Sequence, residues 1–131
     1  MVDRAVAAQW MAKAEEDFQF ASRSIGQSED FLSPVCFHFQ PADEKYLKTF
    51  IVARDLALRK VHDLDVLLAE CRASDPTLHT ISEDCSFLTD FYIETRYPVH
   101  WPGNITLAEA RQARDAAGRI RDAIRQRLGF E

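Results

Sequence analysis

Val35-Cys-Phe-His-Phe-Gln-Pro-Ala-Asp-Glu-Lys-Tyr-Leu-Lys48 sets aromatic, amide, acidic and basic side chains onto what otherwise reads as a buried helix. A helix that only fills a core has no use for Gln40, Glu44 and Lys45 so close to Phe37 and Phe39, because every buried polar group needs a partner to offset its desolvation. Ser33 can cap this helix and Pro34 can occupy its first turn, with the helix running to about Arg54. Pro41 falls inside that span. There it removes the amide that would bond the Phe37 carbonyl and costs about 3 kcal/mol in an undistorted helix, so a kink or a delayed start is expected. Glu44 and Lys45 diverge by about 100° around a helix, so they are expected to reach different neighbours rather than each other.

Outward from this stretch the chain reads as helices throughout. Val6, Trp10, Met11, Ala14, Phe18, Ala21 and Ile25 recur at helical spacing, and Gly26-Gln-Ser-Glu-Asp30 is a polar break after them. Leu64, Leu67, Leu68 and Cys71 share one face of a short helix after His62. Thr80-Ile-Ser-Glu83 has capping-box spacing and predicts a helix whose Phe87, Leu88, Phe91 and Tyr92 point inward. That helix must stop near Arg96, since Pro98 pushes Tyr97 out of the helical region. A second capping box, Thr106-Leu-Ala-Glu109, opens the last helix, with a stripe of Leu107, Ala110, Ala113, Ala117, Ile120, Ile124 and Leu128 and with Gly129 to end it. The expected fold is all-α, an antiparallel up-and-down bundle of four long helices plus a short one.

With 131 residues, 47% of them hydrophobic and only 4 Gly and 5 Pro, the chain has enough core for one domain, expected over 1–131. A net charge of −5 excludes a global basic field that would draw it to nucleic acid or anionic lipid, so any polyanion site must be local. Residues 1–95 hold 9 basic against 17 acidic side chains, whereas 96–131 hold 7 against 4. The arginines of the last helix, Arg111, Arg114, Arg119, Arg121 and Arg125, read either as a solvated face or as the best local candidate for phosphate contact. Cys36, Cys71 and Cys85 are odd in number and lack a CxxC spacing, which argues against a disulfide framework and a zinc site and leaves buried free thiols. Nothing supplies His38 with a second metal ligand at recognisable spacing, so no metal is assigned and no cofactor is expected. No apolar run approaches the roughly 20 residues of a membrane span and no signal pattern opens the chain, so a cytoplasmic location is expected.

The Cys36-to-Lys48 stretch closely resembles the second-helix signature of HEPN domains, which typically reads Cys-Phe-His-x-Gln-Gln-Ala-x-Glu-Lys-x-Leu-Lys. Here Pro41 stands where the family usually has Gln. Lys13-Ala-Glu-Glu-Asp17 looks like the family's first-helix acidic motif, His62-Asp-Leu64 its third-helix start, and Thr95-Arg-Tyr-Pro98 its characteristic loop. The resemblance implies a helical bundle that dimerises, carries a polar cleft associated with nucleotides or RNA, and often pairs with a minimal nucleotidyltransferase. An excess of large apolar side chains, Phe31, Phe37, Phe39, Phe50 and Trp101, also points to a homodimer interface.

HEPN ribonucleases carry Arg, then four to six residues, then His, and cleave RNA without metal through the 2′-hydroxyl. An Arg fork neutralises the charge building on phosphorus, and a His titrating near neutrality relays protons. In this chain three residues, Tyr97-Pro-Val99, separate Arg96 from His100, and the pattern resembles the Arg-Tyr-Pro branch of the family more than the nuclease branch. The favoured reading is a nucleotide- or RNA-binding module acting with a nucleotidyltransferase: Arg96 as a phosphate fork, Tyr97 as a ring for base stacking, His100 as a hydrogen-bond donor, and Gln40, Glu44 and Lys45 in the same cleft. The alternative is a metal-independent endoribonuclease, the toxin of a toxin-antitoxin pair, with Arg96 and His100 catalytic. A purely structural reading competes with both, since Arg96 at a helix C-terminus meets the negative end of the helix dipole.

Overall fold

A computed structural model of the chain describes residues 4–27, 32–96 and 105–130, with the backbone alone at 33 and 92–96. In chain order the elements are α1 (Arg4–Gln27), α2 (Leu32–Cys36), α3 (Phe39–Ala53), α4 (Leu64–Ser74), a 3-10 helix (Pro76–Ile81), α5 (Ser82–Arg96) and α6 (Leu107–Leu128). Among the described residues there is no strand. The all-α expectation holds, with α1, α3, α5 and α6 as the long helices and α4 as the short one. No helix among the described residues is long and apolar enough to cross a membrane.

Helix α3 lies at the centre, against α1, α4, α5 and α6. Phe39, Tyr46, Leu47, Phe50 and Ile51 are essentially without solvent contact, and Phe18 of α1 meets the Phe39 and Tyr46 rings edge-on, at centroid distances of 6.0 and 6.4 Å. Phe39 and Phe50, expected at an interface between chains, are thus spent on the interior of this one. Phe37 is half-buried, while Phe31 and Trp101 lie outside the described residues. Helix α6 lays its small-residue stripe, Ala110, Ala113 and Ala117, into the core, which lets the bundle close tightly over α3. On α1 the buried stripe runs through Ala7 rather than Val6, which stays exposed.

The signature segment is two helices, not one. Phe37 and His38 form a turn between α2 and α3, and α3 restarts with the Ala42 amide on the His38 carbonyl at 3.1 Å. Pro41 therefore sits in the first turn of α3, where an amide has no partner inside the helix and its loss costs nothing. The delayed start expected from Pro41 is what forms. At the other end α3 closes with Asp55 at φ 57°, and the Leu56 amide reaches back to the Ile51 carbonyl at 2.9 Å. This is a Schellman closure with an aspartate in the position glycine usually takes. Helix α6 closes the same way on Gly129, φ 74°, as its sequence predicts.

The capping boxes divide. Thr106 and Glu109 form theirs in both directions. Thr80 instead lies inside the 3-10 helix, and the start of that helix is set upstream, where the Asp75 side chain accepts from the Thr77 amide and Pro76 takes the first turn. An Asp followed by Pro is the stronger start signal, and it overrides the box at Thr80-to-Glu83. Inside α5, Leu88 and Phe91 point inward as predicted, whereas Phe87 is 37% exposed and stacks on Phe91.

Candidate functional site

Because α3 is enclosed on nearly every side, its polar residues cannot turn to water and must find partners. Gln40, Glu44 and Lys48 fall four residues apart on one face and are all buried. Lys48 Nζ donates to Glu44 Oε1 at 2.8 Å, and the same oxygen lies 2.7 Å from His62 Nδ1. Gln40 Nε2 donates to the His62 backbone carbonyl at 2.6 Å. The connector between α3 and α4 is thereby pinned to the central helix through both the ring and the backbone of one histidine. A carboxylate offers only lone pairs, so Nδ1 carries the proton, and in the neutral ring Nε2 is left as the acceptor. The His62 side chain is 82% exposed. The outcome is an imidazole of fixed orientation at the surface, backed by a buried ion pair, whose outward Nε2 can accept a hydrogen bond from a hydroxyl or amide of a bound group.

Lys45 does not join this group. One residue on from Glu44, it crosses to α1 and pairs with Asp17. His38 stands 3.8 Å from the same carboxylate, and its exposed ring meets Phe20 edge-on at 4.8 Å. Gln40 and Glu44 thus both reach His62, and Lys45 sits on another face, beside a surface recess of about 370 Å³ that Trp10 and Lys13 also line. Arg96 is the last residue of α5. Its side chain, Tyr97 and His100 lie outside the described residues.

The arginines of α6 are largely taken up by the fold. Arg119 makes a two-pronged contact with Asp84, while Arg121 and Arg125 both bond Glu15 Oε1, at 2.8 and 3.0 Å. Burial pushes the Glu15 carboxyl up, but the Arg121 hydrogen bond and charge, helped by Arg125, bring it below the usual carboxylate range. The Arg121 guanidinium also lies over the Phe18 ring, 5.5 Å from its centroid. Neither of the two readings of this face, solvated or phosphate-binding, anticipated that Arg119, Arg121 and Arg125 pair with carboxylates of other helices.

Asp43 is the anomaly of the core. It is fully buried, and neither carboxyl oxygen meets a hydrogen-bond partner among the described residues. Burial, and then the nearby Asp84 charge, raise its pKa well above the ordinary value, which favours the neutral acid. The three thiols are free and buried as predicted, and burial pushes Cys36 and Cys71 up to about 12, which makes them inert. Among the described residues no cluster of His, Cys, Asp and Glu could hold a metal.

Sequence reasoning missed Lys48, His62 and Asp43 as members of these networks. The first had a signal, the four-residue recurrence of Gln40, Glu44 and Lys48. His62 had none, because the length and course of the connector decide where it lands.

A helical bundle around a central helix that carries its own buried ionic seam defines a class narrower than the generic helical domain. The HEPN domain family model matches residues 7–127, and the chain belongs to that family. In fold it is similar to the crystal structure of an archaeal HEPN homologue, with a TM-score of 0.74 at 24% identity over 93% of this chain and 97% of the other. No curated protein matches it.

Proposed function

We propose that this HEPN domain is a nucleotide- or RNA-binding module that self-associates and acts with a minimal nucleotidyltransferase partner. The observation that carries the reading is the Gln40–Glu44–Lys48 seam ending on the exposed ring of His62. A helix that served the core alone would fill this face with aliphatic side chains, since a buried ion pair adds little net stability over an apolar replacement. Arg96 supplies the phosphate fork, Tyr97 the stacking ring and His100 the donor of the same functional surface. Titration of a fluorescent single-stranded RNA and of labelled nucleotides into the protein tests it. Arg96→Ala is expected to weaken binding at least tenfold while changing the melting temperature by no more than a few degrees. An Arg96→Ala protein that unfolds, with unchanged affinity in its folded remainder, sinks the proposal. The same RNA incubated with a chelator separates binding from cleavage: products that vanish in Arg96→Ala would install the metal-independent endoribonuclease with Arg96 and His100 catalytic.

A further inference from the structure

The far end of α3 carries a second concentration of positive charge that the seam does not use. Arg4 at the start of α1, Arg54 at the end of α3 and Arg127 at the end of α6 line one pocket of about 260 Å³, closed on one side by Phe130. Each guanidinium is held in place by a named contact. Arg4 lies over the Phe130 ring at 5.7 Å and Arg54 over the Phe50 ring at 4.9 Å. Arg127 is bound to the Ala123 carbonyl at 3.0 Å, to Thr77 Oγ1 and, at 3.4 Å, to Asp75.

The charges do not cancel. Asp75 is the single carboxylate paired with any of the three among the described residues; Arg127 contacts it, and the Arg54 charge also reaches it. Arg4 and Arg54 have no carboxylate in ion-pair contact among the described residues. Part of the arginine supply serves the fold: Arg54 Nη2 donates to the Arg127 carbonyl at 3.2 Å, and Arg127 satisfies carbonyls near the end of α6. Helix-end balance uses one of the Arg54 donors and leaves the others, and it asks nothing of Arg4. In a chain of net charge −5, three guanidiniums around one carboxylate, counted among the described residues, are a local excess of positive charge.

We propose that this pocket binds a phosphate group. The planar guanidinium forks suit the spread oxygens of a tetrahedral oxyanion. Arg4 and Arg54 already lie over the Phe130 and Phe50 rings, which reduces the side-chain freedom to be lost on binding. The volume lies just under the roughly 300–1,000 Å³ of pockets that enclose whole small molecules, so the pocket takes the phosphate itself and leaves any attached group outside. The site is about 20 Å along α3 from Gln40, fourteen residues at 1.5 Å each. Its occupancy is therefore independent of the reading of the seam.

The test is an amide-resolved NMR titration of the full chain with inorganic phosphate, and separately with AMP and adenosine, at ionic strength held constant with sodium chloride. Saturable shifts are expected at residues 4–7, 53–54 and 127–130, with affinity at least tenfold weaker in both Arg4→Gln and Arg54→Gln and with Gln40 and Glu44 unmoved. General stabilisation by an excluded salt would persist in both variants and would not saturate. AMP binding more tightly than phosphate at the same amides assigns the phosphate to a nucleotide; weaker or absent AMP binding assigns it to free phosphate; and adenosine should bind at neither. Non-saturating shifts, or equal affinity in wild type and both variants, overturn the proposal. Arg4→Gln retains that force even if Arg54→Gln fails to fold, because Arg4 carries no helix-end hydrogen bond.

Discussion

Asp43 and Glu44 are adjacent, both buried, and meet burial in opposite ways. Glu44 is met by Lys48 and His62; Asp43 meets no hydrogen-bond partner among the described residues, and burial, then the Asp84 charge, raises its pKa. The folded pKa of Asp43 lies above its ordinary value of 3.8. Its share of stability is thus whole below the unfolded pKa and is lost as the pH climbs towards the folded one. The groups facing it are Asp84, itself paired with Arg119, Cys85 and Tyr46. Asp43→Asn, which cannot ionise, should melt close to wild type at pH 4 and above it at pH 8, with the gap widening between; parallel melting curves across that range would contradict the buried neutral acid. For Glu44 the expectation is reversed in kind. Lys48→Met strips the carboxylate of its buried lysine partner and should cost about 3 kcal/mol, the low end for a broken buried pair, because the His62 hydrogen bond remains. Urea denaturation of Lys48→Met, Glu44→Gln and the double variant measures it, and the double should cost clearly less than the sum.

At the scale of elements, the closures of α3 and α6 offer a controlled comparison. Asp55 holds the left-handed position that Gly129 holds in α6, at a cost of roughly 1–2 kcal/mol for a side chain with a Cβ. Asp55→Gly is expected to stabilise the protein by about 1 kcal/mol in chemical denaturation, while Gly129→Ala should destabilise it by a similar amount. Pro41 provides a test of sign. In a helix interior its replacement by Ala would recover about 3 kcal/mol; in the first turn of α3 the change should stay within about 1 kcal/mol. Gly129 and the Thr106 box were legible because each is a local device whose residue type announces it. Asp55 was not, since aspartate ordinarily marks helix starts, and Thr80 was misread because a stronger start signal lies five residues upstream.

For the whole molecule, α1 and α6 are latched by Glu15 between Arg121 and Arg125, more than a hundred residues apart in the chain. Of the side chains first named for the homodimer, Phe39 and Phe50 are internal, Phe37 is half-buried, and Phe31 and Trp101 lie outside the described residues. Phe20, 53% exposed on α1 beside the His38 ring, is the largest outlying apolar group among the described residues. Light scattering at micromolar concentration should give twice the 15.0 kDa of one chain, and Phe20→Glu should lower that mass; a 15.0 kDa species in the wild type would remove self-association from the proposal.

What the sequence determined by itself was the four long helices and α4, most of their ends and most of their apolar faces, because hydrogen bonds and side-chain neighbours within a helix span only three or four residues. It also carried the family, through residue types at fixed intervals in the Cys36-to-Lys48 stretch. What only the tertiary structure decided was which partner each polar residue of α3 meets. Lys45 goes to Asp17, 28 positions away, Glu44 to His62, 18 positions away, and Asp43 to no hydrogen-bond partner among the described residues. A turn of 100° per residue separates these neighbours onto different faces of α3. The fate of each charge is then fixed by whichever element closes over that face, which no spacing along the chain encodes.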